Sequence, residues 1–302
     1  MQRPADWLST RTRRLDTAKR GNVMSAQSAR NSLICSLFDT FGRGLEIGPS
    51  YNPIVPKRSG FNVEIVDHAS TADLRAKYAN EPHVDVSLFE EVDHIWDGRP
   101  LSQVVGSVGR YDYIVASHVI EHMPDLLGFV KECELLLSPS GVLVLAVPDK
   151  RRCFDVFRPL SSTGSVLEAH LHKRSRHTPA TAFDHVAYFA NMNGVGGWSE
   201  GATGHLSLDH SLDFADAIFQ RSATSTEYYD FHAWVFTPSS FRLILRDLHE
   251  IGALGLKEAA FQPTAGIEFL MTLSRLGDGC PLPRTALLAA THQELLEYPE
   301  QP

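Results

Sequence analysis

Two apolar runs and the segment joining them constrain the fold of this chain most. YDYIVAS (Tyr111–Ser117) and VLVLAVP (Val142–Pro148) each have the length and apolar content of a fully buried strand. Between them, Pro124 and Asp125 open a stretch that turns Leu126, Leu127, Val130, Cys133, Leu136 and Leu137 to one side, and SPSG (Ser138–Gly141) is expected to stop it. A strand, a helix and a second strand on this spacing predict a crossover connection. That means a parallel sheet covered by helices on both faces.

The same rhythm extends in both directions. Leu33, Ile34, Leu37, Phe38 and Phe41 recur at helical spacing up to Gly42, and a short strand, Gly44 to Gly48, follows. NVEIVDH (62–68) reads as the next strand. A helix carrying Leu74 and Tyr78 then leads to a third strand, at Val84 to Val86 or in VDHIWDG. Regular structure returns late in the chain. Thr237 and Pro238 open a helix with Phe241, Ile244, Leu245 and Leu248 inward, and the runs Leu254–Phe261 and Ile267–Ser274 predict a closing hairpin around Pro263 and Gly266. The expected organisation is a basic arm over 1–31, a ligand-binding half over 32–150, a substrate-binding insertion or lid over 151–236, a closing helix and hairpin over 237–277, and a tail over 278–302.

Composition narrows the function classes. At 302 residues, 43% hydrophobic and with a formal net charge of -8, the chain lacks the basic face that a general nucleic-acid surface requires. Its four cysteines form no CxxC pair, which suits reduced thiols and a cytoplasmic location. No apolar run has the length of a membrane span. Oligomeric state is not legible.

Open parallel sheets bind ligands beyond the carboxyl ends of their strands. Those ends carry Glu46, Gly48 and Ser50, then Asp67, then Asp97 and Gly98, then Ser117 and His118. Asp67 lies about twenty residues beyond the first turn, where an acid can accept from both hydroxyls of a ribose. There is no GxGxxG, since Pro49, Ser50 and Tyr51 follow Gly48. A pyrophosphate would have no glycine cradle, so a dinucleotide oxidoreductase is disfavoured and a nucleoside ligand without phosphates is favoured.

LEIGPS, VEIVDH, WDG, YDYIVASHVIEHMPD and GVLVLAVPD, in that order and spacing, resemble class I S-adenosylmethionine-dependent methyltransferases. The resemblance implies an α/β, Rossmann-like seven-stranded fold with a large insertion after the fifth strand. It also implies S-adenosylmethionine as cofactor. Glu46 and Gly48 would form the loop under its methionine part, with Ser50 beside them where many relatives have a second glycine. Asp67 would hold the ribose, Asp97 and the Gly98 amide the adenine, and Ser117 and His118 would line the methionine side. DKRRCFDVFRPL, FDHVA and HAWVFTPSSF look like a bacterial subgroup associated with glycan or surface-polysaccharide biosynthesis.

An alcohol acceptor needs a base for its proton, and histidine suits neutral pH. The expected base is His185 with Asp184 beside it, and His232 is the second candidate. Arg151, Arg152 and Arg158 follow the fifth strand and are candidates to grip an anionic acceptor such as a nucleotide sugar. His170 and His172, placed on one face if that segment were a strand, could join Asp184 or His185 around a metal. No strict ligand signature appears, however, and no metal is expected. His118 and His122 flank Glu121 near the expected cofactor. The expected function is O-methylation of a sugar, nucleotide sugar or glycan end. A methyltransferase-like fold that binds without catalysing is the alternative.

Overall fold

The computed structural model describes residues 27–82 and 84–297. Most of the expected basic arm, and the last residues of the tail, lie outside them.

The chain begins with helix α1 (27–35), followed by β1 (Gly44–Ile47), β2 (Val63–Asp67), α2 (Thr71–Tyr78), β3 (His94–Ile95), α3 (Leu101–Val105) and β4 (Tyr111–Ser117). Next come α4 (Leu126–Leu136) and β5 (Leu137–Pro148). Then follow α5 (Thr163–Leu171), α6 (Pro179–Ala187), β6 (Ala190–Met192), β7 (Leu206–Leu208) and α7 (Leu212–Thr224). The chain closes with α8 (Pro238–Glu250), β8 (Lys257–Ala265), β9 (Glu268–Ser274) and α9 (Arg284–Glu294).

Seven strands form one sheet in the order β3-β2-β1-β4-β5-β9-β8. The first five are mutually parallel, and β9 runs antiparallel to both β5 and β8. Strand order reverses at β1, whose neighbours are β2 and β4. The crevice beyond Ile47 is therefore the topological switch point at which such sheets bind ligands.

Burial explains the pattern of residues. Leu45, Ile47, Ile114, Ala116, Leu143 and Leu145 join one apolar layer beneath α3, α4 and α8, whereas Ile65, Tyr113, Val115 and Val144 join the other, beneath Ile34, Ile54 and Val55. At Gly44 the Tyr113 ring lies so close that a Cβ would overlap it, so a side chain there would push β1 and β4 apart. Asp125 caps α4 by accepting from the Gly128 N–H at 2.8 Å. Thr237 takes the N-cap of α8, its N–H donating to Ser240 Oγ at 2.9 Å.

Five expectations are revised or resolved. The first helix ends at residue 35, and Phe41 is 95% exposed, because turns replace the helix before β1. SPSG does not terminate α4 in a loop: Leu137 passes directly into β5, with an irregular register opposite Tyr111–Tyr113. Val86–Leu88 is a 3-10 turn, and the third strand is only His94–Ile95 within VDHIWDG. His170 and His172 lie at the end of a helix, α5, where positions i and i+2 do not share a face. The expected tail contains α9, which packs on α8.

Candidate active site

The first wall of the site is the turn after β1. Glu46 is buried, and its carboxylate accepts from the backbone N–H of Ile54 at 2.6 Å and of Val55 at 3.2 Å. It thereby ties down the returning half of the loop that leaves the strand at Gly48. Burial raises the Glu46 carboxyl to about 7, against the opposing pull of those two N–H groups. Gly48 has φ +64°, and a Cβ there would stand 3.2 Å from Val119 Cγ2, so glycine leaves both the backbone and the space that a ligand requires. Ser50 also adopts a left-handed conformation (φ 50°). A second glycine would be at ease there, and Ser50 meets the same geometry at the cost of strain. Its N–H donates to Asp67 Oδ2 at 3.3 Å, which links the ends of β1 and β2.

Asp67 is the second wall. It is 4% exposed, and Oδ1 accepts from the His68 N–H at 2.7 Å. Each carboxylate oxygen can accept twice, so Oδ2 keeps capacity for a ligand hydroxyl beside the Ser50 contact. Asp97 stands further out: it is exposed, and its carboxylate is held in its own turn by Arg99 Nε at 2.8 and 3.0 Å, with Gly98 at φ +90°.

The third wall lies at the end of β4, where α1 and β9 both contribute. Arg30 donates from Nη2 to Ser117 Oγ at 2.6 Å and grips Glu268 at 2.6 and 2.8 Å. His118, another left-handed residue (φ 53°), places Nε2 2.7 Å from Glu268 Oε2. Burial opposes the imidazolium of His118, but the charges of Glu121 and Glu268 and the hydrogen bond to Glu268 outweigh it and raise its pKa to about 9. For Glu268 burial likewise opposes charge, yet His118 and Arg30 bring it down to about 2.

Beyond that wall the 3-10 turn Ile120–His122 meets the segment that leads into α8. Ala233 and Trp234 both donate their N–H to the Glu121 carbonyl, at 2.6 and 3.2 Å, and Trp234 Nε1 donates to the Met123 carbonyl at 2.5 Å. This docking brings together two of the three expected catalytic residues. His232 N–H donates to His185 Nδ1 at 3.3 Å. A neutral His185 that accepts at Nδ1 carries its proton on Nε2, which leaves no lone pair for a substrate proton. Burial also pushes His185 well below the ordinary imidazole value.

His232 is arranged the other way. Its Nδ1 lies 2.5 Å from Asp155 Oδ2, a buried carboxylate that also accepts from Arg158 at 2.8 Å. With the Nδ1 proton directed at Asp155, the lone pair of His232 is on Nε2. Asp184 therefore does not orient a histidine in the described contacts, and Asp155 takes that role. Sequence reading missed Asp155 and Arg30, whose partners lie far away along the chain. The available signal was DVF after the basic turn, with an acid where a loop enters the core.

The three arginines do not converge. Arg151 is occupied by Asp149 and Glu297, and Arg152 lies near Glu200 at 3.9 Å. Arg158 instead lines a cavity of about 210 Å³ with Arg174, Arg176, His177, Asp184 and Trp234. A neighbouring cavity of about 330 Å³ shares Arg174, Arg176 and His177.

A family model described as "Methyltransferase domain" matches residues 5–217. Solved structures similar to this chain include the PH0226 protein from Pyrococcus horikoshii OT3 (15% identity, TM-score 0.43, covering 86% of this chain and 92% of that one). The CcbJ methyltransferase from Streptomyces caelestis is also similar (14% identity, TM-score 0.42, 82% and 88% covered). So is the citrinin polyketide synthase CMeT domain (14% identity, TM-score 0.37, 78% of this chain covered), of which the chain spans only 46%. At these scores the structural likenesses stand beside the family match without adding to it. No curated protein matches the chain. The matched span takes in the switch-point turn, the β4 wall and most of the insertion, and the chain belongs to this family, as an S-adenosylmethionine-dependent methyltransferase.

Proposed function

We propose that the chain methylates a hydroxyl of a sugar, nucleotide sugar or glycan end. Gly48, Ser50 and Asp67 would hold S-adenosylmethionine, and Ser117 with His118 would line its methionine side. Asp97 and Gly98 would meet the adenine at the edge of the sheet. The cofactor supplies an activated methyl group, so the protein's task is chiefly alignment, which is worth about 7–11 kcal/mol in favourable systems.

The observation that carries the reading is the Asp155–His232 pair beside the β4 wall. An alcohol must lose its proton to become an effective nucleophile. His232 offers an oriented imidazole lone pair for it, and the buried carboxylate behind stabilises the cation that forms. His185 supports the pair by accepting the His232 backbone N–H at Nδ1. Arg158, Arg174 and Arg176 would receive an anionic portion such as a diphosphate. The insertion over 151–236 acts in this reading as the acceptor-binding part of the enzyme.

Calorimetry with S-adenosylhomocysteine tests the cofactor half. Micromolar binding to the wild type is expected, falling at least ~10-fold in Asp67→Ala, from the loss of hydrogen bonds to a charged acceptor. Equal binding by the variant would remove Asp67 from the site. Transfer of labelled methyl to a panel of nucleotide sugars and oligosaccharides tests the acceptor half. Labelling confined to amine or carbon acceptors would overturn it.

A further inference from the structure

Glu121 has no place in the proton transfer just described, yet it is 0% exposed and, among the described residues, neither carboxylate oxygen receives a hydrogen bond. Its nearest charged neighbours are His118 Nδ1 at 3.5 Å and His122 Nε2 at 3.9 Å from Oε1. The His118 imidazolium offsets the charge of Glu121, but a buried carboxylate whose oxygens accept no hydrogen bond is still costly.

The residues around it have the form of a metal centre. One ligating atom from each of Glu121, His122 and His232 lies within 4.8 Å of the others. Each imidazole is backed at Nδ1 by a carboxylate: His122 by Asp230 Oδ1 at 2.9 Å, and His232 by Asp155 Oδ2 at 2.5 Å. In the neutral form of each ring, the backing contact directs the Nδ1 proton to the carboxylate and leaves the lone pair on Nε2. Histidines that ligate metals make this kind of outer contact, which fixes the tautomer and strengthens the donor. The two rings meet edge to face at 4.6 Å between centroids. The half-buried side of His122 gives the cluster access from outside, and His177 adjoins it through Tyr228, linking it to the insertion cavities.

We propose that Glu121, His122 and His232 bind a divalent first-row transition cation, of the zinc or manganese kind. Two imidazoles with one carboxylate suit such ions, whereas magnesium and calcium favour all-oxygen shells. Three protein ligands leave positions open for an exogenous oxygen. The proposal rests on the acceptor hydroxyl arriving at this cluster. It reassigns His232 from base to ligand: the cation would hold the acceptor oxygen and raise its acidity, so that the hydroxyl proton leaves to solvent.

The full-length protein, stripped with a chelator, is titrated with Zn2+, Mn2+ and Co2+ in separate calorimetric runs without cofactor. Co2+ is also followed by visible absorption. Saturable 1:1 binding is expected, with visible cobalt bands and weaker binding of Mg2+ and Ca2+. Glu121→Gln and His122→Gln should each lower affinity at least tenfold. His122 is only half-buried, so its variant stays informative if Glu121→Gln does not fold, and circular dichroism decides that point. No saturable binding by the wild type, undiminished binding in folded variants, or preference for Mg2+ would each overturn the proposal. Because the titrations need neither cofactor nor turnover, they stand apart from the S-adenosylhomocysteine experiment, and failure of either reading is seen separately.

Discussion

At the scale of single residues, Glu46 makes the most specific prediction. Its folded pKa of about 7 lies above the ordinary 4.5, so between those values the native state binds more protons than the unfolded state. Stability from this group is complete below about pH 4.5 and is lost as pH rises through about 7. The total effect has a ceiling of about 3 kcal/mol. Glu46→Gln should flatten the decline in urea-unfolding free energy between pH 5 and 7. An unchanged slope in the variant would show that Glu46 is ionised across the whole range. Residue identity alone pointed to Glu46, Gly48 and Asp67, because strand ends in a parallel sheet are legible from apolar runs. The left-handed backbone at Ser50 was not, since it depends on how Glu46 draws Ile54 and Val55 back beneath the turn.

At the scale of elements, legibility follows periodicity. β4, α4 and α8 are long, with one or both faces buried, and their residues repeat accordingly. β3 has two residues and one of them is exposed, so nothing repeats. The insertion resisted reading for a related reason. Its helices α6 and α7 pack on each other around a small cluster of Val186, Ala187 and Ala215, whereas α5 joins the main core against α4 and α8. In α7 Ala215 is the buried residue, although the helix runs from Leu212 to Thr224. Such an element gains little from the core, so its amides should exchange well before those of β4 and β5 in native-state hydrogen exchange. Equal protection in α7 and β4 would mean that the insertion and the sheet open as one unit. The Asp155–His232 contact was hidden by distance: 77 positions separate the two residues, and they meet because the segment 232–236 bonds to Glu121 on one side and to Lys150 and Ser161, which flank Asp155, on the other.

For the molecule as a whole, Arg30 and Glu268 set the terms. They are 238 positions apart, and their ion pair fastens the first described helix to the last strand across the mouth of the site. Glu268 is nearly buried and Arg30 mostly so, with side-chain exposures of 7% and 24%. Among the described residues, truncating the arginine leaves that carboxylate with His118 as its side-chain partner. Arg30→Ala should cost about 2–4 kcal/mol and lower the urea midpoint accordingly. An unaltered midpoint would show that α1 is held by its apolar contacts through Ile34 alone.

The strand order also carries a schedule. β8 leaves the ribosome before β9, yet its sheet neighbour is β9, so it has nowhere to dock when it is made. Until Glu268 and its successors emerge, the outer edge of β5 has no partner. About 120 residues separate Pro148 from Glu268. At ~5–20 residues per second the nascent chain exposes a long apolar strand edge for roughly 6–24 seconds, the kind of template on which neighbouring chains pair. Arrival of β9 closes that edge and delivers the carboxylate for Arg30 in the same event, so the mouth of the site is completed when the hazard ends.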